Sequence, residues 1–205
     1  VFHLVHEDTG RHTAVRFRVT IERDGRAAMI SAEPFAGPPA RLRSTGVHCA
    51  TVHASRRDPR SKTTEWLHTR SRLRSPENAA AAPYELLLID DAGRVGEGAT
   101  SNFYIIEVGD RRRLVTAGEG ILYGIARRIA LEVAQGFVEV TLTAPSLERC
   151  YGAREAFLTS ATRGIVPVVS IDGRAVGDGA PGSITRALTE RYDRRAAELE
   201  EPLQP

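Results

Sequence analysis

At 205 residues the chain is long enough to bury a substantial core, as one large domain or as one domain with part of a second. Hydrophobic residues make up 41% and charged residues 26%, and no apolar run approaches the length of a membrane span, so a soluble globular protein with no membrane partner is expected. A net charge of +2 is too small to argue for nucleic acid as a partner. Cys49 and Cys150 lie far apart in no CxxC pattern, which excludes a disulfide framework and a zinc site. Residues 1–7 contain no basic region followed by an apolar stretch, so no secretory signal is expected and the chain reads as cytoplasmic.

In chain order, Val15, Phe17, Val19 and Ile21 alternate with Arg16, Arg18 and Thr20, predicting a half-buried strand over residues 14–21. Asp24-Gly25 supplies a turn into a returning strand over residues 27–32. Glu33-Pro34-Phe35-Ala36-Gly37-Pro38-Pro39 then breaks the pattern. A linker is expected there, separating part of a small N-terminal domain over residues 1–37 from a larger domain over residues 38–205. Residues 46–53 read as a strand, and residues 63–73 as a helix whose apolar contacts are Trp66, Leu67 and Leu73. Residues 79–82 suit the end of a short helix or a loop. The apolar segment 84–89, the turn Asp90-Asp91-Ala92-Gly93 and the β-forming segment 101–108 predict a hairpin with Glu97-Gly98 near its bend.

Leu114-Val115 resumes extended structure, and Arg111-Arg112-Arg113 before it reads as a solvated turn. From Gly124 the spacing of Ile125, Ile129, Ala130 and Val133 is helical, with Arg127, Arg128 and Glu132 opposite. Residues 137–142 alternate again, Ala144-Pro145-Ser146-Leu147 suits a helix start, residues 155–159 and 165–171 read as strands, and a helix over residues 184–199 closes the chain. The sum is a mixed α/β protein.

Of the 28 basic residues, Lys62 alone is a lysine. A guanidinium stays protonated, whereas a buried ammonium can lose its proton and act as an amine nucleophile, the only form that condenses with an aldehyde. Composition alone is equally consistent with an ordinary surface lysine. Lys62 stands in Asp58-Pro59-Arg60-Ser61-Lys62-Thr63-Thr64-Glu65-Trp66-Leu67, between a strand and a helix. Glu97 stands in Gly96-Glu97-Gly98-Ala99-Thr100-Ser101-Asn102, where glycines let backbone approach a ligand; an exposed turn glutamate reads as well. The helix after Leu122-Tyr123-Gly124 offers unpaired amides to an anion, as any glycine-led helix can. Thr159-Ser160-Ala161-Thr162-Arg163-Gly164 presents hydroxyls and amides at a strand end, as an ordinary polar loop also would. An amine, an acid and anion-binding amides are the groups needed to hold a phosphorylated pyridine aldehyde. The histidines, including His48, His53 and His68, have no metal-ligand spacing, and no nucleophile elbow is present.

Taken in order, Lys62 with Trp66-Leu67, the segment 84–106 with Glu97-Gly98 and Ser101-Asn102-Phe103, Gly120-Ile121-Leu122 with Gly124-Ile125-Ala126-Arg127, and Glu155-Ala156-Phe157-Leu158-Thr159-Ser160 through Pro167 to Asp172-Gly173 resemble the class IV aminotransferases. That family includes branched-chain and D-amino-acid aminotransferases and aminodeoxychorismate lyase. The resemblance implies an α/β pseudo-barrel C-terminal domain that binds pyridoxal 5'-phosphate, plus part of a smaller N-terminal α/β domain. It further implies that Lys62 forms the Schiff base and shuttles a proton, that Glu97 pairs with the pyridine nitrogen, and that Ile125 and Ala126 give amides to the phosphate. Ser101 and Asn102 would shape the loop beside the ring, and Ser160, Ala161 and Thr162 would reach phosphate or substrate. The implied function is amino-group transfer between an amino acid and a 2-oxo acid in a homodimer. A lyase that releases pyruvate, or a non-catalytic or incomplete homologue, are the alternatives. By the resemblance the chain begins within the smaller domain, Ala161 replaces a phosphate-binding threonine of many relatives, Glu65 replaces a frequent asparagine, and Arg23 lies where some relatives hold a substrate carboxylate.

Overall fold

A computed structural model of the chain describes residues 15–22, 24–35, 37–74 and 82–199, which divide into two units, Val1–Pro39 and Ala40–Pro205. In the first unit the alternating segment forms β1 (Val15–Ile21), paired antiparallel with β2 (Ala28–Pro34) from Val15↔Pro34 to Ile21↔Ala28. The second strand therefore runs two residues past the expected stop at residue 32. Glu33 is held by Arg16 at 2.7 Å, and a proline at the end of an edge strand loses no ladder bond it needs. The expected half-burial of β1 is not what the structure shows: Val19 and Ile21 are 57% and 65% exposed. A two-stranded sheet has only its own strands to shield either face.

The second unit begins with a short helix, α1 (Arg41–Thr45), that the sequence pattern did not announce, followed by β3 (Val47–His53) and α2 (Thr64–Arg72). Thr63 starts α2 by accepting the Trp66 amide at its hydroxyl. Of residues 79–82, where the end of a short helix or a loop was expected, all but the last lie outside the described residues. Next come β4 (Glu85–Ile89), β5 (Val95–Gly98), β6 (Asn102–Val108) and β7 (Arg112–Thr116). The expected single hairpin is thus a three-strand meander whose middle strand escaped the pattern, because Gly96 and Gly98 dilute the β-forming signal. Arg112 and Arg113 belong to β7 rather than to a turn; they are exposed on it, which is why they read as solvated. The remaining elements are α3 (Ile125–Ala134), β8 (Glu139–Leu142), α4 (Leu147–Tyr151), β9 (Glu155–Ser160), β10 (Gly164–Ile171), β11 (Arg174–Ala175) and α5 (Ser183–Glu198).

The sheet closes on itself. Pairing runs β10–β3–β4–β5–β6, and β9 then bonds both β6 and β10, so six strands complete a barrel. The β10/β3 and β3/β4 pairs are parallel and the other four are antiparallel. One edge of β6 is shared: β5 pairs it at Asn102, and β7 takes over at Ile105–Val108 and leads to β8.

Both faces of β4, β6, β9 and β10 are largely buried, which explains their apolar runs. Phe103, Ile105 and Leu158 turn into the barrel with Leu87, Val95 and Val166. Their neighbours Tyr104, Ile106 and Phe157 turn outward against Ala126, Ile129 and Ala130 of α3 and Ile184, Leu188 and Tyr192 of α5. Tyr104 and Phe157, opposite each other in the ladder, stack with ring centroids 4.5 Å apart. Both cysteines are buried and free, and desolvation pushes the Cys150 thiol up to about 12. Among the described residues no helix is long and apolar enough to cross a membrane.

A buried acid starts α5. Gly182 precedes the helix without a capping side chain, and Glu155 of β9 accepts the Ile184 amide at 3.0 Å and the Thr185 amide at 2.6 Å. A Cβ on Gly182 would overlap the Glu155 carboxyl, so the glycine is what lets the two meet. Glu155→Ala removes two charge-assisted bonds and leaves buried amides unpaired. It is expected to lower the unfolding free energy by about 2–4 kcal/mol in a urea titration.

Candidate active site

Glu97 stands in β5 directly opposite Asn102 of β6, and its side chain is 4% exposed. Its Oε2 accepts the Leu122 amide at 3.1 Å and the Asn102 Nδ2 at 3.5 Å, while its Oε1 accepts Arg56 Nη1 at 3.2 Å. Burial pushes its carboxyl above the ordinary carboxylate range; the Leu122 amide and the Arg56 charge pull back only part of that rise. Gly98 has no room for a Cβ, which would meet Glu85 Cγ at 2.9 Å. This glycine beside Glu97 therefore serves close packing within the meander.

Asn102 ties this acid to the start of α3, donating to the Leu122 carbonyl at 2.7 Å. A Cβ on Gly124 would lie 2.8 Å from Asn102 Oδ1, so only glycine lets the helix begin this close to β6. No side chain caps α3, whose first residues are Ile125 and Ala126. Arg127 in the first turn is buried, donates to the Ala117 carbonyl at 2.7 Å and keeps an unpartnered Nε.

The turn between β9 and β10 carries Ala161 and Thr162, exposed and half-buried respectively. The Ser160 hydroxyl there accepts Arg163 Nε at 2.7 Å. Arg163 also donates to the Thr100 carbonyl at 3.1 Å and hydroxyl at 2.7 Å, clamping this turn to the loop between β5 and β6. Beneath the clamp, buried Glu85 accepts the hydroxyls of Thr100 and Ser101, the latter at 3.0 Å. Ser101 is thus committed to Glu85 and Asn102 to Leu122, so these two neighbours are fixed from different sides.

Lys62 lies one residue before the Thr63 cap of α2 and is exposed. Arg56 also donates to the carbonyl of Ser61 at 3.4 Å, which links the Lys62 segment to Glu97. Arg56 and Glu97 line a cleft of about 780 Å³ with Pro59, Gly96, Glu119 and Gly120; Lys62 is not among its lining residues. Glu65 is exposed and faces Arg57 at 3.8 Å. Arg23 lies outside the described residues. Arg56, Arg163 and Glu85 were not singled out by the sequence. Among so many arginines nothing marks two of them, although a lone acid leading the apolar strand Glu85–Ile89 is a signal that was there to read.

The structure brings Glu97, Asn102 and the start of α3 into direct contact, and joins Ser101 to the Ser160 turn through Glu85, Thr100 and Arg163. Residues 3–171 match the family model described as amino-transferase class IV, and the chain belongs to that family. A probable branched-chain-amino-acid aminotransferase of Aquifex aeolicus is 32% identical over 155 residues, covering 73% of this chain and 50% of that protein. A D-alanine aminotransferase of Bacillus licheniformis is 37% identical over 112 residues, 52% of this chain and 37% of that protein. The chain thus spans half or less of the length of these relatives. Among solved structures, a protein of Thermotoga maritima described as a putative branched-chain amino acid aminotransferase superposes with a TM-score of 0.77 at 23% identity, covering 98% of this chain and 73% of that one. A second such enzyme, from T.th. and complexed with N-(5'-phosphopyridoxyl)-L-glutamate, gives 0.71 at 24%, over 84% of this chain and 57% of that one. The barrel described above is the fold of these enzymes.

Because Glu97 titrates higher folded than unfolded, its share of stability is complete below the unfolded glutamate value of about 4.3 and is lost as pH rises through the folded value. Compared with Glu97→Gln, the wild-type chain is therefore expected to lose unfolding free energy as pH is raised from about 4 into the neutral range, measured in denaturant titrations at stepped pH.

Proposed function

We propose that this chain is the cofactor-binding part of a pyridoxal-phosphate-dependent transaminase that moves an amino group between an amino acid and a 2-oxo acid. The observation that carries this reading is the Glu97 carboxylate: a desolvated acid with one oxygen held by the Leu122 amide, in contact with the residues that open α3. An acid whose charge is poorly solvated gains most from a cation, and a protonated pyridine nitrogen is one. The uncapped amides of Ile125 and Ala126 suit a phosphate group.

In this reading Lys62 carries the cofactor through its amine, and Glu97 keeps the ring nitrogen protonated. Ile125 and Ala126 hold the phosphate, with the amide of Ala161 and the hydroxyl of Thr162 beside them. Ser160 and Ser101 act less directly, because their hydroxyls already bond Arg163 and Glu85. Asn102 fixes the loop beside the ring by bonding the Leu122 carbonyl. The bound cofactor supplies an aldehyde that takes up the amino group and a ring that accepts electrons from the substrate α-carbon. The Lys62 amine would also hold and return the proton at that carbon. Arg23 is assigned the weaker role of meeting a substrate carboxylate. A homodimer, as the family resemblance implies, and a cytoplasmic location, read from the sequence, complete the reading.

The test is to add pyridoxal phosphate, reduce with borohydride and map the labelled peptide. Label on Lys62, absent in Lys62→Ala, is the expected result. In a parallel unreduced sample, conversion of the cofactor to pyridoxamine phosphate by an amino acid alone then marks a transaminase, and pyruvate release from aminodeoxychorismate would mark the lyase instead. Absence of label on Lys62 in folded protein would overturn the reading for this polypeptide.

A further inference from the structure

Of the two residues on which the proposed function rests, Glu97 stands in β5 and Lys62 in the segment before α2, and one side chain reaches both neighbourhoods. Arg56 Nη1 meets Glu97 Oε1 at 3.2 Å, and its Nη2 meets the carbonyl of Ser61, next to Lys62, at 3.4 Å. Its guanidinium carbon lies 4.9 Å from the centroid of the Trp66 ring, which is itself fixed by an Nε1 bond to the Ala99 carbonyl at 3.0 Å. The Arg56 and Glu97 side chains are only 7% and 4% exposed. A guanidinium presents its donors in a rigid plane, so one residue can bond a carboxylate and a carbonyl while stacking on a ring. An ammonium cannot do all three. Among the described residues, the other charge that acts on Glu97 is Glu85, which opposes its ionisation.

We propose that Arg56 is a positioning residue: it fixes the Glu97 carboxyl and the Lys62 segment relative to each other and supplies a charge that favours the ionised form of Glu97 in a buried place. Its chemical meaning rests on the proposed function, but the contact itself does not. In the reaction Arg56 acts through Glu97 and through the backbone before Lys62, without touching substrate.

The experiment uses the full chain without added cofactor, so a failed labelling of Lys62 leaves it unaffected. The side-chain carboxyl of Glu97 is followed by carbon NMR across pH, its signal identified by its loss in Glu97→Gln. In Arg56→Gln the midpoint is expected to rise by about 1–3 pH units, the effect of removing an opposite charge at this distance. In Arg56→Lys the charge remains and the midpoint stays within about one pH unit of wild type. Amide exchange at Ser61, whose N–H bonds the Asp58 carbonyl, nevertheless quickens about tenfold, because the bond that Arg56 makes to the Ser61 carbonyl is lost and the turn opens more often. A midpoint that does not move in folded Arg56→Gln would overturn the proposal, as would wild-type exchange at Ser61 in Arg56→Lys. If Arg56→Gln does not fold, the exchange and midpoint of Arg56→Lys decide alone.

Discussion

Closure of the barrel depends on the backbone hydrogen bonds of β9, which pairs with β6 along one edge and with β10 along the other. It meets β6 from Asn102 to Ile106 and β10 from Gly164 to Val168, so buried amides and carbonyls on both sides find partners without leaving an open edge. The same pairing sets Thr159 beside Asn102, which in turn faces Glu97. Loops from distant parts of the chain are thereby drawn together: Arg163 reaches Thr100, and Asn102 reaches Leu122. The helices α3 and α5 pack on the outward residues of the strands, and the start of α3 is delivered to Asn102 by that packing.

Three acids are buried among the described residues of this unit, and each is stabilised differently. Glu155 is met by helix amides, an arrangement that only joins β9 to α5. Glu85 is met by the Thr100 and Ser101 hydroxyls, with Arg163 3.6 Å away, and holds a loop. Glu97 has an amide and a guanidinium, yet desolvation still outweighs them, and it lines a cleft. Glu97 is thus the buried acid of this unit whose surroundings compensate its charge least.

Two residues that the resemblance marks as unusual, Ala161 and Glu65, lie outside the barrel core. Ala161 is exposed at the β9–β10 turn and offers only backbone, while the neighbouring Arg163 has taken the Ser160 hydroxyl for itself. Glu65 faces solvent and Arg57. Neither residue enters the buried clusters that hold the barrel together.

By itself the sequence determined the elements whose signals are local. The alternation of β1, the 3.6-residue spacing of α3, the helix starts at Thr63 and Ser146, and the apolar runs of β4, β6 and β10 are all expressed where residue order places them. The lone lysine and the ordered motifs were enough to indicate the family. Only tertiary structure decided that β5 is a strand, since its glycines have no β preference and Glu97 is drawn in by pairing with Asn102. It alone decided that β9 closes a ring, because pairing partners far along the chain leave no mark in a local pattern. It alone chose Arg56 and Arg163 from many arginines, for a guanidinium acquires a role from the carboxylate and carbonyls placed around it, and those come from other elements.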